Sequence, residues 1–139
     1  MTTTRTYTDT RIDTKLILSG LWIVMLFVFA YVDIFGFFRS DVLSAALDGR
    51  VATTDFGVDQ VFLSLTLLYI LIPSLMVILS LVLKPRANRI ANIVVGVIYA
   101  ISIIVACIGV GWIYYIAGSI VEVVMLVALV RTASTWPAR

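Results

Sequence analysis

The chain has 139 residues, of which 62% are hydrophobic and 13% charged, and its formal net charge is +2. Soluble domains run at roughly 45–50% apolar and about 25% charged residues, so this composition excludes an ordinary water-soluble fold and indicates a membrane protein. With no histidine and a single cysteine, Cys107, the usual zinc, haem and iron–sulfur ligand sets and an intrachain dithiol are excluded, and neither metal nor cofactor is expected.

The first 13 residues, "MTTTRTYTDTRID", are polar and Thr-rich and read as a loose arm, with Asp9, Thr10 or Asp13 available to cap a helix. A bilayer core of about 30 Å takes about 20 apolar residues as a helix. Four runs qualify: 16–38, 61–83, 90–108 and 112–130. Strands would need alternating polarity, which "LTLLYILIPSLMVILSLVL" lacks, so the spans are helices. The first span carries a passable signal-peptide pattern ending at Ala30, but its apolar run continues through "YVDIFGFF", and an uncleaved span is expected.

After the first span, "SDVLSAALDGR" predicts a short helix on the outer interface, capped by Ser40 or Asp41 and ended by Gly49. Thr54 or Asp55 is the predicted start of the second long helix. Pro73 interrupts that helix near its middle, which predicts a kink and a freed carbonyl about one turn back, around Tyr69. "KPRANR" is barely long enough to reverse the chain, with Pro85 suited to a first helical position. Gly109, Val110 and Gly111 form a second tight turn. Short links of this kind predict one domain over 14–131, an all-α, antiparallel up-down four-helix bundle, followed by a tail at 132–139.

Eight of the ten basic residues lie in the N-terminal arm, the 84–89 turn and the tail. The first loop has Arg39 and Arg50 against Asp41, Asp48, Asp55 and Asp59. The positive-inside rule then puts both termini in the cytoplasm. Because the basic residues serve topology, no nucleic-acid partner is expected; the lipid bilayer is.

A carboxylate deep in a bilayer costs upwards of about 2.5 kcal/mol and usually faces protein or water. Glu122 stands nine residues from Arg131 and eleven from Gly111; at about 1.5 Å per residue this is roughly 14–17 Å from either end, near the midplane. With no cation beside it, it is expected to take up a proton. Ser74 and Tyr99 fall at its depth, with Ser102, Ser119 and Tyr69 a turn outward, and these are its expected hydrogen-bond partners. Asp33 lies nearer the outer edge, at the level of Thr66, Tyr114 and Tyr115, so it and Glu122 are expected to line one cavity without touching. Trp22, deeper than an interfacial belt residue, is a candidate wall of that cavity. The alternative is that Glu122 only clamps helices together. At the inner turn, Asn88 and Asn92 share a helical face, and with Arg86 and Arg89 they could cap neighbouring helices or hold a lipid phosphate. Gly96 with Ala100, and Gly118, predict close helix contacts.

The segments "LSGLWIVML" and "VDIFGF", "KPRANRIANIV" and "SIVEVVML" resemble an uncharacterised bacterial family of small four-helix membrane proteins, a domain of unknown function. The resemblance implies the four-helix fold and an interest in Asp33, Asn88, Arg89, Asn92 and Glu122; the expected location is a bacterial cytoplasmic (inner) membrane. The resemblance implies no activity.

Two functions remain open. One is a binding or transport protein with a proton-titrating Glu122, a polar cavity open to the outer side, and a small amphiphilic or cationic ligand. The other is a non-catalytic accessory subunit or scaffold, as a homo-oligomer or within a larger membrane complex. An enzyme would have only Asp33 and Glu122 for acid–base work, and no enzymatic activity is expected.

Overall fold

The computed structural model of the chain describes residues 10–52, 54 and 56–136. Expectations placed on the first nine residues, on Asp55 as a cap and on the last three residues of the tail lie outside these. The described residues form five helices: α1 (Thr14–Gly36), α2 (Ser40–Leu47), α3 (Gln60–Val82), α4 (Pro85–Ala106) and α5 (Ile113–Ser134). Four of them, all but α2, are long and apolar enough to cross a membrane. The only pairing of extended backbone among the described residues is an isolated bridge between Arg50 and Gly57.

The helix starts follow local chemistry. Asp13 caps α1 by accepting from the Lys15 amide at 2.7 Å, which satisfies one of the orphan N–H groups of the first turn. Pro85 opens α4, where its missing N–H costs nothing. Two expected caps are corrected. The second long helix is capped by Asp59, which accepts from the Phe62 amide at 2.7 Å, while Thr54 bonds back to the Val51 carbonyl in the preceding loop. Neither Ser40 nor Asp41 caps α2: Arg39 occupies that position and makes no side-chain bond to the first-turn amides, its guanidinium instead donating to the Asp41 carboxylate at 3.1 and 2.5 Å. Gly49 and Gly109 take φ of 69° and 84°, the left-handed conformation that lets the chain leave α2 and α4.

In packing, α1 lies against α3 and α5, and α4 lies against α5. The backbones of α3 and α4 approach each other less than those of these three pairs do. Lys15, at the start of α1, donates to the carbonyl of Leu81 near the end of α3 at 3.0 Å. Close approaches at two glycines set the α5 contacts. A Cβ on Gly96 would come within 2.9 Å of Val130 and 3.1 Å of Leu129, and one on Gly118 would overlap the side chain of Val32. The buried core runs through Leu18, Trp22, Met25, Met76, Tyr99, Ile103, Leu126 and Leu129, and apolar side chains cover the rest of the long helices facing outward.

Candidate functional site

Two polar networks and one cavity lie between the long helices. The first network sits where α3 ends and α4 begins. The Asn88 amide donates to the Ser80 carbonyl at 2.6 Å, and the Asn92 amide donates to the Asn88 side-chain oxygen at 2.6 Å and its carbonyl at 2.9 Å. The Asn92 oxygen accepts from Ser80 Oγ at 3.2 Å and from Trp22 Nε1 at 2.7 Å. Trp22, Ser80, Asn88 and Asn92 are each fully buried. Together with Lys15 on Leu81, this network satisfies carbonyls that the last turn of α3 leaves without helical partners. Asn88 and Asn92 are therefore a helix cap and a staple to α1, the capping role that was one of the two expected, while Arg86 and Arg89 are exposed and take no part in this network.

The second network bridges the wider α3–α4 interval. Pro73 cannot donate to the carbonyl of Tyr69 four residues earlier, and Tyr99 Oη donates to that carbonyl instead, at 2.5 Å. Ser102 Oγ donates to the Tyr99 carbonyl at 2.8 Å. Since a hydroxyl has one proton, the 2.6 Å bond between Tyr69 Oη and Ser102 Oγ has Tyr69 as donor. Three bonds thus close a circuit beside Pro73. Ser74 adds a bond to the Ile70 carbonyl at 2.8 Å. These bonds correct the expectation that Ser74 and Tyr99 partner Glu122: both serve the backbone of α3. Trp22 is likewise corrected, since it is locked to Asn92 and does not wall the cavity.

The cavity, of about 300 Å³, lies beyond this circuit toward the α2 end of the molecule. Each long helix presents one face to it. Phe29, Val32 and Asp33 come from α1 at the i, i+3, i+4 spacing of a single face. Tyr69 comes from α3, and Ser102, Ile103 and Ala106 come from α4. On α5, Tyr115, Ser119 and Glu122 repeat at helical spacing. The approach of α1 to Gly118 brings Asp33 and Glu122 to the same space.

Glu122 is 2% exposed, and its Oε1 is buried with no hydrogen-bond partner. Buried polar atoms are nearly always paired, so a cavity-lining carboxyl with an unpaired buried oxygen is the most unusual feature of the described residues. Among the described residues, no group of three or more His, Cys, Asp or Glu could hold a metal ion. Of the residues expected to bind a ligand or proton, Glu122, Asp33, Tyr115 and Ser119 share the cavity; Tyr99, Ser74 and Trp22 do not reach it.

Phe29, Val32, Ile103 and Ala106 were not singled out from the sequence, being apolar residues like their neighbours. Ser80 was also missed, although matching its depth to Asn88 and Asn92, as was done for Glu122, would have found it.

The described residues define a small helical protein with four helices able to cross a membrane and an acid-lined cavity between them. The chain belongs to the family of unknown function designated DUF6326, which it matches over residues 7–139. No curated protein and no solved structure matches it.

Proposed function

We propose that the protein spans the bilayer four times as an antiparallel bundle, with both termini cytoplasmic and α2 on the outer interface. In this reading the cavity between Asp33 and Glu122 is a binding site open to the outer side, where Glu122 exchanges a proton as the site fills. The antiparallel order is supported by the contacts of Lys15 with Leu81, Val32 with Gly118, and Gly96 with Val130. The reading is carried by Glu122, which lines the cavity and whose buried Oε1 has no hydrogen-bond partner.

A helix clamp needs its carboxyl bonded across the interface, and no such bond is made; a site that takes up and releases a proton needs the group unengaged and beside a path for the proton, which the cavity that Glu122 lines would supply. Difference infrared spectroscopy of wild type against Glu122→Gln, across pH in lipid nanodiscs, tests this. A carboxyl band that belongs to Glu122 and changes reversibly with pH is expected. A Glu122 band indifferent to pH would defeat the proposal, and stoichiometric co-purification with a larger complex would then favour the accessory-subunit reading.

A further inference from the structure

Resting on that reading of the cavity, we infer that its ligand is a small amphiphilic organic monocation, an ammonium group bearing apolar substituents. It settles between the carboxyl groups of Asp33 and Glu122 as one proton leaves Glu122.

The charge of the site carries the first step. Helix α4 brings no titratable group to the cavity lining; those that line it beside Glu122 are Asp33 from α1, Tyr69 from α3 and Tyr115 from α5 itself. Each is neutral or negative in either protonation state, and no Lys or Arg lines the cavity. A positive charge opposite Glu122 must therefore arrive with the ligand. Low-dielectric surroundings make an uncompensated charge costly. Exchange of one cation for one proton leaves the net charge of the site unchanged, whereas a dication would add a charge and a neutral ligand would supply no counter-charge.

The walls carry the second step. Phe29, Tyr69 and Tyr115 offer aromatic rings, and Val32, Ile103 and Ala106 offer aliphatic surface. Aromatic faces attract ammonium groups, and the aliphatic wall accommodates their substituents. A bare metal ion would need about six or more oxygen ligands for the hard cations; here the Ser102 and Tyr69 hydroxyls are already spent on each other and on Tyr99. At about 300 Å³ the cavity stands at the small end of ligand pockets, which span roughly 300–1,000 Å³. One ring with a compact cationic head suits it.

The test uses benzyltrimethylammonium and its uncharged isostere, neopentylbenzene, titrated calorimetrically into the protein in nanodiscs, with empty nanodiscs correcting for partition. Repeating the titration in buffers of different ionisation enthalpy counts released protons. Saturable binding of the cation is expected, with proton release and an affinity that rises with pH until Glu122 is ionised. Binding should fall on the order of tenfold or more in Glu122→Gln, with release abolished; in Asp33→Asn it should weaken while release persists. The uncharged isostere should bind on the order of tenfold more weakly.

Equal binding of the two probes, or cation binding indifferent to both substitutions, would overturn the inference. So would the absence of saturable binding in a protein whose Glu122 still titrates by infrared spectroscopy, and that result would leave the proton-exchanging site standing. A Glu122 that does not titrate removes the underlying site. Should Glu122→Gln not fold, proton release from the wild type and the Asp33→Asn titration decide the matter.

Discussion

Asn92 and Glu122 are both buried polar residues on long apolar helices, and their surroundings assign them opposite roles. Asn92 uses its oxygen twice and its amide twice, reaching α1, α3 and its own helix. Replacing it with Leu keeps the branching, with bulkier methyl groups, but strands the Trp22 indole N–H, the Ser80 hydroxyl and the Asn88 oxygen in the core. At about 1–3 kcal/mol for each unsatisfied group in water, and less between membrane helices, a loss of about 2–4 kcal/mol is expected on unfolding in mixed micelles. Glu122→Gln removes no bond and is expected to change stability by less than about 1 kcal/mol. Equal destabilisation by the two would return Glu122 to the role of a clamp.

The inward face of Glu122 was legible because lipid exposure of a carboxylate is so costly. The lack of a partner was not, since it depends on which hydroxyls the α3 backbone had already claimed. Trp22 and Asn92 stand 70 residues apart; their depths could have been compared, but nothing local to either announces the bond.

At the level of single helices, α3 shows how an interruption becomes a joint between helices. Pro73 frees the Tyr69 carbonyl, and Tyr99 crosses from α4 to occupy it. The freed carbonyl was readable from the proline alone, whereas the donor came from a helix whose rotation no periodicity specified. Tyr99→Phe is expected to cost about 1–2 kcal/mol by leaving that carbonyl unbonded. In a Pro73→Ala background the amide of residue 73 can serve the carbonyl, and the cost of Tyr99→Phe should shrink by about half or more. A double-mutant cycle of unfolding free energies measures this coupling, and strictly additive effects would contradict it.

The short helix α2 responds to a different variable. The hydrogen bond from Arg39 holds the Asp41 carboxyl below its ordinary range, and Arg39, 4.5 Å from the Trp112 ring, ties this pair to the start of α5. A depressed folded-state value means the contact contributes above the unfolded value of about 3.9 and is lost as pH falls through the folded one. The protection of α2 amides against exchange, taken relative to the intrinsic rate at each pH, is therefore expected to fall as pH drops below about 4, with that of the long helices unaffected. The effect should be small and weakened by salt, because Asp41 is exposed. Protection in α2 that follows that of the long helices would show that no such local contact governs it.

For the molecule as a whole, orientation is a matter of charge placement. The 84–89 turn carries Lys84, Arg86 and Arg89 without an acid, whereas the segment between α1 and α3 holds Asp41, Asp48, Asp55 and Asp59 against two arginines. The spans were legible to within a few residues because each is a long apolar run bounded by charge or a turn. The pairing of α4 with α5 was legible from the three-residue turn between them, whereas the extensive contact of α1 with α5, and its excess over that of α3 with α4, had no local signal. Orientation rests on the bias of basic residues toward the cytoplasm, and it also decides which side supplies the cavity, since Asp33 lies toward the α2 end. In a Cys107→Ser background, a cysteine at Ser44 in α2 is expected to react from outside intact cells with a membrane-impermeant maleimide. One at Ala87, exposed in the 84–89 turn, should react only after permeabilisation, a contrast on the order of tenfold or more in rate, set by the barrier of an intact bilayer about 30 Å thick. The reverse pattern would turn the molecule over and open the Asp33 side to the cytoplasm, so that the cavity would sample the cell's own cations and pH.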